Sequence, residues 1–242
     1  MTVLSSKIAA ASRAGQFVHV RVSEGFIPFL RRPLSIGPAS GDFFRLIFTV
    51  KGFGTRLLAA KAPGSALDLI GPLGRPFPSP DKDRLPILVA GGIGVVPLLL
   101  LDNQLSVEQE REFLLGVRSR QDATVDEVEV DQRCIRLSSD NGSIGFHGNV
   151  ISLLRKRLEE LKQKKVVIYG CGPGPMLCAL KKLCQETSIP AYVSLEVPMG
   201  CGVGACQSCA VPRSDGGGYY LVCHDGPVFN AKDVELNPGA LP

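Results

Sequence analysis

The chain has 242 residues, 45% of them apolar and 21% charged, which is enough for two modest domains, each with a core of its own. A formal charge of +4, no Trp and no run of Lys or Arg leave nucleic acid binding without support. No stretch nears about 18 uninterrupted apolar residues, and residues 1–14 lack the basic-then-apolar order of a secretory signal, so a soluble, cytoplasmic protein without membrane contact is expected.

Strand-like runs come first: residues 17–22, 43–50 and 66–70, punctuated by Gly and Pro. Short strands at this spacing suggest a small antiparallel barrel over residues 1–80. Little strand precedes Val18, which would weaken the barrel's first pairing. The Pro-rich stretch 71–80 then marks a boundary.

Beyond it, Pro86-Ile87-Leu88-Val89-Ala90 reads as a buried parallel strand, followed by Gly91-Gly92-Ile93-Gly94 and a helix ending near Leu105. Strands are expected over 112–117 and 134–137, and a helix over 150–164, where Ile151, Leu154, Leu158 and Leu161 form a packing stripe. Strand, Gly turn and helix recur at residues 166–169, 170–175 and 176–186. Residues 81–190 are therefore expected to form an α/β domain with a mainly parallel sheet. Glycine at both turns allows a nucleotide to approach the backbone near a helix start, although glycine for packing alone is the plainer alternative for either turn by itself. Ligands of open α/β sheets gather at the carboxyl ends of strands, where both turns lie.

The last region, residues 191–242, is short and cysteine-bearing. Cys201, Cys206, Cys209 and Cys223 follow the pattern C-x4-C-x2-C-x13-C, with Gly202, Gly204 and Ala205 between the first two. The first three have the spacing of plant-type 2Fe-2S ferredoxins, where small neighbours free backbone N–H groups to bond the cluster sulfurs. Zinc and disulfides are the alternatives, but structural zinc prefers two separated C-x2-4-C pairs, and disulfides do not suit a reducing compartment. A one-electron carrier is expected, its segment partly dependent on the metal for stability. Cys178 and Cys184 read as small buried hydrophobes on a helix.

Arg32-Pro33-Leu34-Ser35, Gly52-Phe53-Gly54-Thr55, Gly71-Pro72-Leu73-Gly74, Gly91-Gly92-Ile93-Gly94 and Tyr169-Gly170-Cys171-Gly172-Pro173 come in the order seen in the ferredoxin-reductase superfamily. With the four cysteines and the tail Cys223-His224-Asp225-Gly226-Pro227-Val228-Phe229, the chain resembles, over nearly its whole length, the electron-transfer subunits of type B dihydroorotate dehydrogenases.

The resemblance implies an oxidoreductase of β + α/β architecture: an antiparallel FAD-binding barrel, a parallel-sheet NAD-binding domain and a small C-terminal 2Fe-2S segment. It implies that Arg32 pairs with the FAD pyrophosphate and that Pro33, Leu34 and Ser35 line the isoalloxazine. Thr49, Val50 and Lys51 would form the next flavin-contacting strand, with Gly54 and Thr55 at a phosphate-binding helix start. Gly91, Gly92, Gly94, Gly170, Cys171 and Gly172 would border the pyridine nucleotide. For Cys171, a buried structural thiol is the alternative. Residues 138–143 fit a family loop near the same site or a plain surface turn, and Arg118 and Arg120 read as solvated charges. NAD and NADP are not distinguished. The partner implied is a catalytic, FMN-containing subunit that oxidises dihydroorotate, in a heterotetramer of two of each, with residues after Gly216–Tyr220 facing it. The competing readings are an NAD(P)H-linked reductase subunit of another redox complex and a non-enzymatic iron-sulfur sensor.

Overall fold

The computed structural model describes residues 1–123 and 135–236; Cys134, the first residue of one expected strand, lies outside them. The N-terminal part is a curled antiparallel sheet of β1 (Thr2–Leu4), β2 (Phe17–Arg21), β3 (Arg32–Ser40), β4 (Phe43–Leu46) and β5 (Asp68–Leu73), in the order β1-β4-β3-β2-β5. The N-terminus supplies a strand where little was expected before Val18: Thr2–Leu4 pairs with Phe43–Arg45. Helix α1 (Ser6–Ala11) follows, its first turn held by the Ile8 N–H donating to Ser5 Oγ at 3.4 Å.

The expected strand over 43–50 stops at Leu46. Ile47, Phe48 and Thr49 leave the ladder and turn to a cavity described below, just before α2 (Phe53–Ala59). Strand β3 was not legible as a strand because Pro33, Gly37 and Pro38 all lower strand propensity. It forms nonetheless, paired on both sides, and its register slips between Ile36 and Ala39, around the Gly37-Pro38 step.

The second sheet is built on β6 (Leu85–Gly91), β7 (Glu112–Val117), β8 (Ile135–Ser139), β9 (Phe146–His147), β10 (Val166–Cys171) and β11 (Ala191–Ser194), all parallel. After the hairpin of β12 (Ala210–Pro212) and β13 (Tyr219–Leu221), the chain adds an antiparallel edge strand, β14 (Val228–Asn230). The order is β14-β11-β10-β6-β7-β8-β9. Every residue of β6 and β10 is buried, as expected of central parallel strands covered on both faces by helices. The covering helices are α3 (Val95–Gln104), α4 (Val150–Glu160) and α5 (Gly174–Thr187). Helix α4 ends four residues before the expected Lys164, whose N–H closes a turn on Leu161 O at 2.8 Å.

Two cores set the geometry. In one, Val18, Val20, Ile36 and Phe44 of the curled sheet pack with Val95, Leu98 and Leu99 of α3 and with Leu88 and Tyr169 of the parallel sheet. In the other, Leu177, Leu180 and Leu183 of α5 pack with Val211, Val222, Cys223, Phe229 and Val234 of the C-terminal region. That region therefore shares the parallel sheet's core and holds its cysteine loop against a rigid support, a feature its length alone did not suggest.

Candidate functional site

A cavity of about 610 Å³ lies where the two sheets meet. Its wall brings together Arg32, Pro33, Leu34 and Ser35 of β3, Thr49 and Lys51 after β4, Gly54 and Thr55 of α2, Gly94 before α3, and Cys171 at the end of β10. Val50 is not among them; it is half exposed and faces a separate groove on the curled sheet. Gly91, Gly92, Gly170 and Gly172 are not part of the wall.

Arg32 is held from two sides. Its Nη1 donates to Leu30 O at 2.5 Å, and its guanidinium lies against Gly54, where a Cβ would come within 2.7 Å of Nε. Glycine at 54 thus makes room for a permanent charge beside a helix start, a cradle suited to a diphosphate. The Thr55 hydroxyl accepts the N–H groups of Lys51 and Gly52, each at 3.1 Å, so it is engaged in closing the turn. Arg32 and Lys51 are charged side chains on that side of the wall.

The two Gly turns pack directly on each other. A Cβ on Gly94 would overlap the Cys171 carbonyl, and one on Gly172 would come within 3.0 Å of the Gly91 backbone. Gly170 is explained by helix packing, since a Cβ there would strike Leu180 of α5. Gly92 differs: its φ is +52° and no atom of the described residues lies within 4 Å of where its Cβ would be, its own chain neighbours aside. It therefore presents bare backbone to open space, as a nucleotide-facing turn requires. Cys171, at the cavity wall, is buried, and burial pushes its thiol up to about 12. It is a neutral, compact group.

The loop at residues 138–143 is a turn tied to the end of β7, with the Asp140 N–H donating to Val117 O at 3.1 Å. Ser138 and Ser139 are fully buried, Ser139 Oγ donates to Ile144 O at 2.7 Å, and Ser143 N–H donates to Asn141 Oδ1 at 3.0 Å. Arg118 is exposed and pairs with Asp122 at 3.2 Å, while the Arg120 N–H donates to Ser143 Oγ at 2.8 Å.

One stretch of the wall was missed in the sequence: Ser194, Leu195, Glu196, Val197, Pro198 and Met199. It leaves β11 and runs straight into the cysteine loop. There the thiols fall into two sets. Cys201 and Cys206 lie towards solvent, with the N–H groups of Val203 and Cys206 donating to Cys201 Sγ at 3.4 Å. Cys209 and Cys223 are buried with their Sγ atoms 3.3 Å apart, and the Gly204 N–H donates to Cys223 Sγ at 3.1 Å. All seven cysteines among the described residues are free thiols.

Hydrogen bonds from Ser208, then those with Cys201, hold the Cys206 thiol down at about 6, whereas burial pushes Cys223 up to about 12. Gly202 and Gly204 take φ of +75° and +84°, and a Cβ on Gly200 would come within 3.0 Å of Cys206 Sγ. Thiols in two pairs, backbone N–H groups aimed at sulfur, and side-chain-free glycines around them fit a two-iron cluster.

Comparison with known proteins decides the family. The model of the iron-sulfur cluster binding domain of dihydroorotate dehydrogenase B matches residues 196–235. The dihydroorotate dehydrogenase B (NAD(+)) electron transfer subunit of Desulforamulus reducens is 38% identical over 233 residues, covering 94% of this chain and 88% of its own. That of Bacillus caldolyticus is 40% identical over 245 residues, covering 98% and 92%. The chain belongs to the electron-transfer subunits of dihydroorotate dehydrogenase B. Among solved structures, an NADH-dependent reduced ferredoxin-NADP oxidoreductase, described for flavin-based electron bifurcation, is 26% identical with a TM-score of 0.79, covering 97% of this chain and 84% of its own.

As a dihydroorotate dehydrogenase B electron-transfer subunit, the chain has a ferredoxin-reductase-like fold, and no helix among the described residues is long and apolar enough to cross a membrane. The wall at 194–199 carried no compositional signal. Its place directly before Cys201 was the one clue available in the sequence.

Proposed function

We propose that this chain takes electrons from a catalytic, FMN-containing subunit that oxidises dihydroorotate and delivers them to NAD, holding FAD and a 2Fe-2S cluster for the purpose. The observation that carries this reading is the continuity of one segment: Ser194–Met199 forms part of the cavity wall and runs unbroken into Cys201. FAD, when bound, exchanges hydride with a nicotinamide and single electrons with an iron-sulfur cluster, so its place is between the two.

The chain's own residues have binding and positioning roles. Arg32 neutralises the diphosphate, with Gly54 leaving its guanidinium room to lie against α2. Pro33, Leu34 and Ser35 line the flavin ring, and Thr49 and Lys51 border it from the segment after β4. Gly92, with bare backbone, and Gly94, packed against Cys171 and Gly172, open the nicotinamide's approach, and the neutral Cys171 thiol adds neither charge nor bulk there. Cys201, Cys206, Cys209 and Cys223 hold the cluster. No general acid or base is needed in this division of labour.

These roles divide over residues 1–80 for the flavin, 81–190 for the nucleotide and 191–242 for the cluster, although β11 and β14 of the last segment complete the nucleotide domain's sheet. The assembly is a heterotetramer of two catalytic and two electron-transfer subunits, in the cytoplasm, where reduced thiols persist. A reductase subunit of another redox complex is the second reading, favoured by the structural likeness to the NADH-dependent oxidoreductase.

The test is anaerobic: the reconstituted chain is mixed with the dihydroorotate-oxidising FMN subunit of the same organism, and dihydroorotate-dependent reduction of NAD is followed. Activity that needs both chains and disappears in Cys206→Ser supports the reading. A flavin and cluster that NADH reduces, without coupling to dihydroorotate, would transfer the chain to the second reading.

A further inference from the structure

The turn between β2 and β3 carries the sequence Gly25-Phe26-Ile27-Pro28-Phe29-Leu30. Four large apolar side chains stand in solvent here within five residues: Phe26 at 86% exposure, Ile27 at 77%, Phe29 at 79% and Leu30 at 48%. Single exposed apolar residues are ordinary, but a contiguous patch of this kind marks a surface that something else covers. The flavin cavity does not account for it, because Leu30 alone of the four lines that cavity.

The root of the loop points to the occupant. Arg31 Nη1 donates to Asp68 O at 3.0 Å and to His19 O at 3.4 Å, fixing the loop's return strand to β2 and β5. On β2, the His19 ring meets Cys201 O at 3.2 Å and packs on Gly202. The next residue, Val203, is 52% exposed, and Cys206 also reaches solvent. The apolar loop and the open edge of the cysteine loop are thus anchored on the same residue, His19. A protein that comes close enough to exchange electrons at that edge is brought to the loop as well.

We propose that residues 26–29 are a docking surface for the catalytic subunit, with Phe26, Ile27 and Phe29 as its apolar anchors. This rests on the assignment of the chain as an electron-transfer subunit. Aromatic side chains at the centre of an interface carry a large share of its affinity, and here two of them stand already exposed in the free chain. The loop fixes the partner beside the cysteine loop while leaving cofactor binding to other residues.

The experiment compares the full chain with the double variant Phe26→Ser/Phe29→Ser, and with Val107→Ser as a remote control at a 94% exposed position. Each is purified with flavin and cluster, its folding checked by flavin absorbance and the cluster's EPR signal. Dissociation constants for the catalytic subunit are then measured by sedimentation, alongside NADH oxidation with ferricyanide as acceptor. The expected result is about ten- to a hundredfold weaker association for the double variant, with NADH–ferricyanide activity and cluster signal unchanged and Val107→Ser indistinguishable from wild type. Equal association of the double variant and wild type overturns the proposal while leaving the functional assignment intact. So does a wild-type chain that dimerises through this loop, with a double variant that is monomeric yet binds the catalytic subunit as tightly as wild type does. A wild-type chain that does not bind the catalytic subunit at all overturns the functional assignment, and this proposal with it.

Discussion

The ring of His19, fully buried on β2, meets the carbonyl oxygen of Cys201 at 3.2 Å. A carbonyl only accepts, so Nδ1 carries the proton and Nε2 is the acceptor, buried without a partner among the described residues. The curled sheet and the cysteine loop are joined at this point, and His19 pairs across the ladder with Pro33 of the cavity wall. His19→Ala is expected to leave the Cys201 carbonyl unpaired and to cost about 1–3 kcal/mol in stability. Thermal unfolding of the holoprotein gives the cost, and the rate of cluster bleaching in air shows whether the loop loosens; an unchanged rate would mean that the His19 hydrogen bond does not restrain the loop.

Gly54→Ala places a methyl where the Arg32 guanidinium lies. Since Gly54 is helical, the backbone tolerates alanine and the effect is purely one of space. Apoprotein titrated with FAD, followed by flavin fluorescence, should show about ten- to a hundredfold weaker binding, matched by Arg32→Ala. Wild-type affinity in Gly54→Ala would show that Arg32 does not need that position.

Gly94→Ala tests the packing between the two turns. The φ of Gly94 is −60°, an ordinary value for alanine, yet a Cβ would overlap the Cys171 carbonyl. The two turns must part, at a cost of about 1–3 kcal/mol. Reduction of the flavin by NADH in a stopped-flow instrument should slow, with the visible flavin spectrum retained. A stable variant with normal reduction would mean that the turns shift freely.

Cys206→Ser removes the exposed thiol among the four proposed cluster ligands while leaving the buried pair Cys209 and Cys223 in place. The expected product binds FAD and lacks the cluster's EPR signal. Loss of flavin together with the cluster would show that the two sites fold as one.

Glu112 accepts from Arg157 at 2.7 Å and from Arg136 at 2.9 Å at the start of β7. Burial works to raise its pKa, but the hydrogen bonds from Arg157 and Arg136 outweigh it and hold the carboxyl below its ordinary 4.5. The stability it contributes is therefore fully present above pH 4.5 and is lost as pH falls through the lowered folded value. Glu112→Gln should cost about 1–3 kcal/mol at pH 7 and less in acid, read from urea unfolding at several pH values. An equal cost at every pH would mean that the carboxylate's charge is not what the two arginines recognise.

The strands and helices most easily read in the sequence are those with unmixed patterns. β6 and β10 are continuous apolar runs because both faces are buried, and α4 shows its stripe because one face is. β3 does not read as a strand because Pro33 belongs to the cavity wall and Gly37 sits close against the Arg45 carbonyl and Val96, so neither position carries a strand-forming side chain. β1 is hard to read because three residues carry no periodicity, and their pairing with β4 exists only once the chain has folded. At the site, Arg32 and the four cysteines are legible because charge and thiol chemistry belong to a residue type wherever it stands. The wall at Ser194–Met199 is not, since an apolar lining residue looks like any core residue until its neighbours are known.

By itself the sequence determined the thiol pattern of a cluster loop, the order of motifs and the two-sheet architecture, because these follow from residue type, spacing and hydrophobic period. Only the tertiary structure decided that the glycine turns pack on one another, that His19 reaches the cysteine loop across 182 residues of chain, and that Phe26, Ile27 and Phe29 are left without cover. Those are facts about distance between remote segments, and distance is set by how the shared cores close around α3 and α5, which no local pattern records.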